Sequence, residues 1–375
     1  MLVFSMLAAI DRIIGGKMGL AKEFERGFML LGVMMLSMTG MIIISPVIAD
    51  VLEPLFDVIY NTLHIDPSII PASLFANDMG GAPLADEIAK NESIGMFNAL
   101  VVSSMLGCTV SFTIPFALGM VQKEQHTELL LGLLCGIVTI PVGCFVAGLI
   151  SNIPVLALLV DLIIPVVASV IIAVGLFFVP KVCVKIFGVI GYIINVLITI
   201  GLAVGILCFL SKGMPELTES SPEISRFLAG LLDTVTSSPV VQRMATIEEG
   251  TAVCLNAAIV MSGAFPLISI LSRVLSKPLR FMGKKLGINE DSALGLFGSL
   301  ATSATTFGNM IKMDKKGALL NSAFAVSGAF TFAGHLAFTL AYDADYLPAV
   351  IAGKLVAGVL AVLVGVFLYK RNYKE

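Results

Sequence analysis

Charge is scarce in this chain of 375 residues. Asp, Glu, Lys and Arg make up 13% of the sequence, apolar residues make up 57%, and the mean hydropathy is +0.99. An ordinary soluble domain carries about 25% charged residues. Most of the surface must therefore face lipid, and we predict an all-α polytopic membrane protein, because helices satisfy their own backbone polar groups in lipid.

Basic runs, histidine and tryptophan are also scarce. The net charge of -3 and the lack of clustered Lys and Arg exclude a nucleic-acid-binding protein. The chain has no Trp and three His, and its six Cys form no C-x-x-C pair, so we expect no metal and no cofactor. The absence of an H-E-x-x-H motif and of a nucleophile with a matching base argues against an intramembrane enzyme.

Long apolar runs predict eight membrane-crossing helices, since about 20 apolar residues are needed to cross the hydrocarbon core. They are residues 27–49, 94–119, 129–150, 154–179, 186–210, 250–271, 317–342 and 347–369. Three shorter segments, 67–83, 228–241 and 293–311, are rich in Pro, Gly and hydroxyl residues. We predict that these are re-entrant or broken helices. If they were straight spans, the count would rise to ten or eleven, so the range is eight to eleven segments.

The distribution of Lys and Arg predicts that both termini are cytoplasmic, because short loops rich in these residues stay on that side. The basic clusters are Lys17, Lys22 and Arg26, then Arg273, Lys277, Arg280, Lys284 and Lys285, and finally Lys370, Arg371 and Lys374. The loops on the opposite side are acidic, at residues 50–66, 216–223 and 343–345.

A sequence pattern recurs along the chain. Leu-Asn, five residues and then Ser-Gly-Ala-Phe occurs at 255–265 and at 320–330, and a weaker copy begins at Phe97-Asn98. The predicted orientation makes the copy at Asn321 antiparallel to those at Asn98 and Asn256, as in inverted repeats that hold solute near the midplane. We predict a single transporter domain over 1–375, with repeat units 67–119, 226–272 and 293–342. Small-residue helix packing is the alternative explanation.

The polar residues of the interrupted segments are the candidate substrate site. A charge in the middle of a lipid-embedded helix costs about 2.5–3.5 kcal/mol, so such residues need a partner or a purpose. The alternatives are that Asp78 caps a turn and that the hydroxyls bond their own helix. The predicted substrate-binding residues are Asn77, Asp78, Gly80, Gly81, Asn98, Ser237, Ser238, Asn256, Thr302, Ser303, Thr305, Thr306 and Asn309.

Three further ionisable residues fall inside predicted spans. Asp161 is either an interfacial carboxylate favoured by the helix dipole or a residue that couples transport to an ion. His335 is either a hydrogen-bonded interhelical residue or a proton relay. Lys354, near the start of the last span, is expected to extend to the lipid headgroups.

One stretch resembles a known family. Residues 73–85, Ser-Leu-Phe-Ala-Asn-Asp-Met-Gly-Gly-Ala-Pro-Leu-Ala, followed by Gly95-Met96-Phe97-Asn98-Ala99, are similar to the signature region of the ethanolamine permease (EutH) family. Ser237-Ser238-Pro239 with Gln242-Arg243-Met244 also resembles that family. The resemblance extends over nearly the whole chain, although outside the Asn-Asp-Met-Gly-Gly motif it is generic membrane sequence.

The resemblance implies a permease rather than an enzyme. Its substrate would be ethanolamine, imported across the cytoplasmic (inner) membrane of a bacterium by uniport or by coupling to an ion. The family does not supply the binding residues, which rest on the sequence pattern alone. A carrier of another small amine, amino acid or nucleoside is one alternative, and a membrane scaffold without transport is another. The oligomeric state stays open, a homo-oligomer included.

Overall fold

The computed structural model describes residues 1–213 and 235–373, and this part of the chain is helical, without a strand. The predicted all-α fold is confirmed. The helices are α1 Leu2–Ile13, α2 Ala21–Met34, α3 Gly40–Leu63, α4 Ile69–Leu74, α5 Gly81–Ile88, α6 Glu92–Phe97, α7 Ile114–Met120, α8 His126–Ile137, α9 Ile140–Ile150, α10 Val155–Asp161, α11 Ile163–Phe178, α12 Pro180–Gly213, α13 Ile247–Leu286, α14 Glu290–Ser299, α15 Ser303–Gly308, α16 Lys315–Gly328, α17 Gly334–Tyr342 and α18 Leu347–Tyr373. Wider π-helical turns join α2 to α3 and α6 to α7, at Met35–Thr39, Asn98–Gly107 and Thr109–Thr113.

Six helical stretches of the described chain are long and apolar enough to cross a membrane. They correspond to six of the eight predicted spans: Glu92–Met120, Lys123–Ile150, Val155–Phe178, Pro180–Ser211, Val241–Leu271 and Ala344–Arg371. Residues 27–49 lie in the helical run of α2, its π-turn and α3. Residues 317–342 form two helices, α16 and α17, with an unwound stretch between them. The span predicted at 317–342 is therefore interrupted and is not one continuous helix.

The outer helices present large apolar side chains to their surroundings. Ile171, Phe178 and Tyr192, on α11 and α12, have exposed fractions of 65%, 72% and 71%. Such surfaces are costly in water but match the hydrocarbon core of a bilayer. Five of the six Cys are buried, as expected for small apolar side chains. The fold is that of a multi-pass membrane protein.

Helices α3 and α12 touch through glycines. A Cβ added at Gly40 would collide with the carbonyl oxygen of Ile198, and one added at Gly201 would collide with the carbonyl oxygen of Gly40. Close backbone approach at small residues is a common way to hold helices together in lipid. The pair fixes α3 against α12, next to the π-turn that ends at Thr39.

We expect Gly40→Ala to destabilise the protein by about 1–3 kcal/mol, because the added methyl group overpacks a backbone contact. The matched control is Gly32→Ala on α2, where no heavy atom lies within 4 Å of the added Cβ. The control should be neutral or gain up to ~1 kcal/mol from helix propensity. Thermal unfolding in detergent measures both variants, and equal melting temperatures would show that the Gly40 contact is not tight.

Two segments form re-entrant hairpins. Hairpin 1 (residues 66–91) contains α4 and α5, and hairpin 2 (residues 289–314) contains α14 and α15. The Asp66 carboxylate accepts hydrogen bonds from the backbone of Lys90 and Asn91, at 3.1 and 2.9 Å. At the base of hairpin 2, the backbone N–H of Asn289 donates to the Asp314 carboxylate at 2.8 Å. Each hairpin therefore begins and ends at the same place, and the prediction of broken or re-entrant segments is confirmed for two of the three short segments. Half of the third segment, residues 228–234 of 228–241, lies outside the described residues.

The bases of the two hairpins lie at opposite ends of the helix bundle. The helix after hairpin 1 leads to Gln125, whose side chain donates to the carbonyl of Met310 at the base of hairpin 2 (2.7 Å). The helix after hairpin 2 ends at Tyr342, whose hydroxyl donates to Asp86 near the base of hairpin 1 (2.8 Å). The hairpins therefore enter the bundle from opposite ends, with their tips directed inward.

Candidate functional site

The tip of hairpin 2 is the turn between α14 and α15, and it pairs with the non-helical stretch between α16 and α17. We call this stretch, residues 329–333, the central segment. The backbone N–H groups of Phe330 and Phe332 donate to the carbonyls of Ser299 and Leu300, at 3.0 and 2.9 Å. Phe330 has a φ of 62°, a left-handed conformation that is rare for an aromatic residue. The central segment thus gives up its own helical hydrogen bonds and takes partners from the hairpin.

The tip of hairpin 1, the turn between α4 and α5, places Asp78 near the C-terminal end of the central segment. Asn77–Met79 form a short 3-10 turn, and Gly80 follows with a φ of 95°. A side chain at Gly80 would also collide with Met41, so only glycine fits this turn. A Cβ added at Gly334, the first residue of α17, would lie 3.9 Å from Asp78 Oδ2. Both hairpin tips therefore contact residues 329–334.

A buried lysine faces the same region. Lys354 on α18 is 1% exposed, and its Nζ donates to the carbonyl of Ser104 at 2.8 Å. Its ammonium and the Asp78 carboxylate attract each other electrostatically. The expectation that Lys354 extends to the headgroups was wrong, because position 354 faces the π-helical stretch Asn98–Gly107 instead of the lipid surface.

His335 lies beside these groups, one residue after Gly334. Its side chain is 1% exposed, its ring centroid is 5.2 Å from that of Phe330, and it is within electrostatic reach of Lys354. Its Nδ1 is buried without a hydrogen-bond partner in the described part of the chain. His335 Nδ1 is therefore available for a hydrogen bond to a ligand at the edge of the central segment.

Asp161 belongs to a separate network of hydrogen-bonded polar side chains. The Asn98 amide donates to Asp161 Oδ1 at 3.2 Å and to Ser68 Oγ at 3.0 Å, and Ser68 Oγ donates to Asp66 at 2.6 Å. Asp161 ends α10 and is 2% exposed, so it is not an exposed interfacial carboxylate. Asp161 Oδ2 and Asn98 Oδ1 are buried without partners among the described residues. This hydrogen-bond network connects the base of hairpin 1 with the protein interior.

The hydroxyl side chains predicted to form one cluster in hairpin 2 lie in different environments. Thr306 bonds within its own hairpin, 2.8 Å from Ser299 Oγ and 3.1 Å from the Gly295 carbonyl, which is the alternative role foreseen for these hydroxyls. Ser303 is buried, and its Oγ lacks a partner within the described structure. Thr302 is half-buried.

Thr302 also lines a cavity of about 350 Å³ with Arg26, Arg273 and Phe265. Asn309 is exposed. The side chain of Thr305 is outside the described structure. Of the predicted cluster, Ser303 is therefore the residue best placed to offer a free polar atom near the tip.

The other predicted residues are scattered. Asn77 is fully buried, and both polar atoms of its side chain lack partners in the described chain. Gly81 packs against the carbonyl of Phe75 and shapes the turn. Asn256 is exposed on α13, and Ser237 is exposed, with Ser238 half-buried, in the turn before the 3-10 helix Val241–Arg243.

Asn256 illustrates how the repeated motif misled the site prediction. Asn98 and Asn321, at equivalent places in the motif, are fully buried, but Asn256 faces outward. Sequence reasoning named Lys354 but placed its ammonium at the lipid headgroups instead of in the protein interior. A charged residue several positions inside an apolar span was the available signal, since burial of such a residue requires a partner.

A polytopic helical protein in which two opposed hairpins contact a broken helix, beside Asp78 and His335, has the architecture of a solute transporter. The chain belongs to the family described as ethanolamine utilisation protein, EutH, whose model matches residues 1–368. The predicted family is thus confirmed.

Curated relatives match over the full chain. The protein named "Probable ethanolamine permease EutH" of Listeria monocytogenes is 38% identical over 375 residues, covering 100% of this chain and 94% of its own length. Proteins of the same name from Salmonella typhimurium and Escherichia coli are each 35% identical over 399 residues, covering 99% of this chain and 94% of their own. No solved structure matches the chain.

Proposed function

We propose that the protein is a permease that imports ethanolamine across the bacterial cytoplasmic membrane, and that the substrate binds between the two hairpin tips. The relatives carry the name of probable ethanolamine permeases, which supports the substrate. The proposed location of the substrate site rests on the contacts of both tips with residues 329–334, beside Asp78. Transporter binding sites are typically formed by discontinuous helices, and residues 329–333 interrupt the helical run from 315 to 342.

The substrate's chemistry fits the side chains at this place. Ethanolamine is a primary alkyl amine and is mostly cationic at neutral pH, as a Lys side chain is. The Asp78 carboxylate would accept charge-assisted hydrogen bonds from the ammonium. The hydroxyl needs one further donor or acceptor, and Asn77, Ser303 and His335 each offer a buried polar atom without a partner among the described residues.

The hydrogen bonds at the hairpin bases support a structural relation between the first and third predicted repeat units. The Asn91 side chain caps α6 by accepting from the backbone of Ile94, seven residues before the buried Asn98. The Asp314 side chain caps α16 in the same way, also seven residues before a buried asparagine, Asn321. We propose that these two units are inverted repeats.

The amide groups of both asparagines reach back to their own hairpins. Asn98 Nδ2 donates to Ser68 Oγ at 3.0 Å, and Asn321 Nδ2 donates to the Ser292 carbonyl at 2.8 Å. The unit predicted at 226–272 begins outside the described residues, so the proposal rests on the other two. Movement of one hairpin at a time would open the site to one side of the membrane and then to the other.

Charge supports an orientation with cytoplasmic termini. The base of hairpin 2 lies near Lys312, Lys315 and Lys316, whereas Lys90 at the base of hairpin 1 forms an ion pair with Asp57 (2.9 Å). The hydrogen bond from Lys90 to Asp57 raises the pKa of this lysine, which keeps it paired. Under the positive-inside rule, hairpin 2 then opens to the cytoplasm and hairpin 1 to the outside.

Uptake of labelled ethanolamine into proteoliposomes tests the function. We expect saturable uptake at mildly acidic pH, where the neutral amine that leaks through lipid is a small fraction of the total. Excess unlabelled ethanolamine should compete, while a larger effect of another amine, an amino acid or a nucleoside would identify a different substrate. Uptake no faster than that of empty vesicles would reject the permease and leave the scaffold role.

A further inference from the structure

Lys354 is among the largest fully buried side chains of the described structure. Its ammonium donates to the carbonyl of Ser104, which lies in the π-helical stretch Asn98–Gly107. This bond satisfies one of the three ammonium N–H groups. A buried cation is costly unless a counter-charge lies nearby, so Lys354 requires an explanation beyond packing.

Four ionisable side chains on the surrounding elements lie within electrostatic reach of Lys354. They are Asp78 on hairpin 1, Cys108 after the π-helical stretch, Cys144 on α9 and His335 on α17. Of these side-chain types, only a carboxylate is ordinarily negative at neutral pH. Asp78 is therefore the counter-charge of Lys354, and the empty site is balanced.

The Lys354 side chain ends in the same chemical group as the proposed substrate. Both are primary alkylammonium ions of similar size at the charged end, and Asp78 is both the carboxylate within electrostatic reach of Lys354 and the proposed partner of the substrate. Two cations beside one carboxylate would leave an uncompensated charge in a region of low dielectric. Binding of the substrate cation therefore requires that one positive charge leave.

We propose that Lys354 is an internal cation that exchanges a proton for the substrate, so that one ethanolammonium ion enters for each proton that leaves. The inference rests on the proposed function. When the substrate binds Asp78 from the outside, an N–H bond of Lys354 breaks, its electron pair stays on the nitrogen, and the proton passes to the outer water. The neutral amine keeps its hydrogen bond to Ser104. After the substrate leaves to the cytoplasm, Lys354 takes a proton there.

This cycle moves the same net charge across the membrane in both directions. The loaded protein carries the substrate cation with neutral Lys354, and the returning protein carries protonated Lys354, each against the Asp78 carboxylate. The exchange is therefore electroneutral. Membrane potential should not drive accumulation, whereas a lumen more acidic than the medium should.

Uptake by the reconstituted full chain under an imposed potential tests the proposal. Wild type should show no accumulation driven by a potential, negative inside. Lys354→Gln removes the exchangeable proton, so transport should become electrogenic, with about tenfold accumulation at ~60 mV, and should lose its response to the pH gradient. Lys354→Arg keeps a permanent positive charge, so uptake should be lost although the variant folds.

Lys370→Gln, at an exposed position of the same helix, is the matched control and should behave as wild type. Accumulation driven by potential in wild type would overturn the role of Lys354 and leave the permease standing, and this result does not depend on whether any variant folds. Potential-insensitive uptake by a folded Lys354→Gln variant would also overturn it. Wild-type uptake no faster than that of empty vesicles would reject the proposed function itself.

Discussion

Asp78→Asn is expected to lower ethanolamine uptake by roughly 100-fold in kcat/KM. Loss of one partner of a buried charge pair costs about 2–5 kcal/mol, and ~3 kcal/mol corresponds to this factor. The amide keeps the shape of the side chain but cannot balance the substrate ammonium. It also leaves the buried Lys354 without its counter-charge, so the empty site is disturbed as well. Initial rates of labelled uptake in proteoliposomes measure the effect.

The matched control is Asp345→Asn, which makes the same substitution at an exposed carboxylate in the turn before α18. This variant should transport as wild type does. Both variants should be compared at equal amounts of folded protein, checked by thermal unfolding in detergent. If Asp78→Asn transports at the rate of Asp345→Asn, the carboxylate does not hold the substrate and the binding site lies elsewhere.

Asp66→Ala is expected to cause the largest loss of stability, on the order of 5 kcal/mol. The Asp66 carboxylate accepts four hydrogen bonds that close hairpin 1, from the backbone and hydroxyl of Ser68 (3.0 and 2.6 Å) and from the backbone of Lys90 and Asn91. A hydrogen bond to a charged group contributes about 1.5–3 kcal/mol. The substitution also leaves buried donors unpaired. The melting temperature in detergent and the yield of folded protein report the loss.

Asp57→Ala separates this effect from a simple loss of negative charge at the same end of the molecule. Asp57 pairs with Lys90 but is about half-exposed, and an exposed ion pair contributes about 0–1 kcal/mol. We expect a small change in its melting temperature. If Asp66→Ala and Asp57→Ala melt together, the base of hairpin 1 is not held by the Asp66 carboxylate.

The helical scaffold could be predicted because lipid allows few alternatives. Only long apolar helices can cross the bilayer, and six of the eight predicted spans match helices of sufficient length and apolarity. The broken segments were also visible, since the sequence around Asn77-Asp78 and around Thr302-Ser303 combines turn formers with hydroxyls. Hairpins 1 and 2 begin and end within a few residues of the predicted limits of their segments, apart from the C-terminal end of hairpin 1.

The faces of the helices could not be predicted in the same way. Apolar residues occupy every side of α18, so its sequence does not reveal that Lys354 points inward. The same difficulty affected Asn256, whose motif matches that of the buried Asn321 although α13 turns it outward. Rotation about a helix axis depends on packing against neighbouring helices, which a uniformly apolar sequence does not encode.

The hydroxyl cluster shows a second limit. The sequence indicated that polar groups gather at the tip of hairpin 2, but it could not assign their partners. Thr306 bonds to Ser299 and Gly295 within the hairpin, whereas the buried Ser303 Oγ has no partner among the described residues. Likewise, the pairing of the central segment with Ser299 and Leu300 joins residues about 30 positions apart and left no local signal.

The position of bound ethanolamine, determined by electron cryo-microscopy of the protein with substrate, tests the central claim most directly. We expect the substrate nitrogen at about 2.8 Å from an Asp78 carboxylate oxygen, between the tip of hairpin 1 and residues 329–334. Density for ethanolamine in another place, such as the cavity lined by Arg26, Arg273 and Thr302, would contradict it.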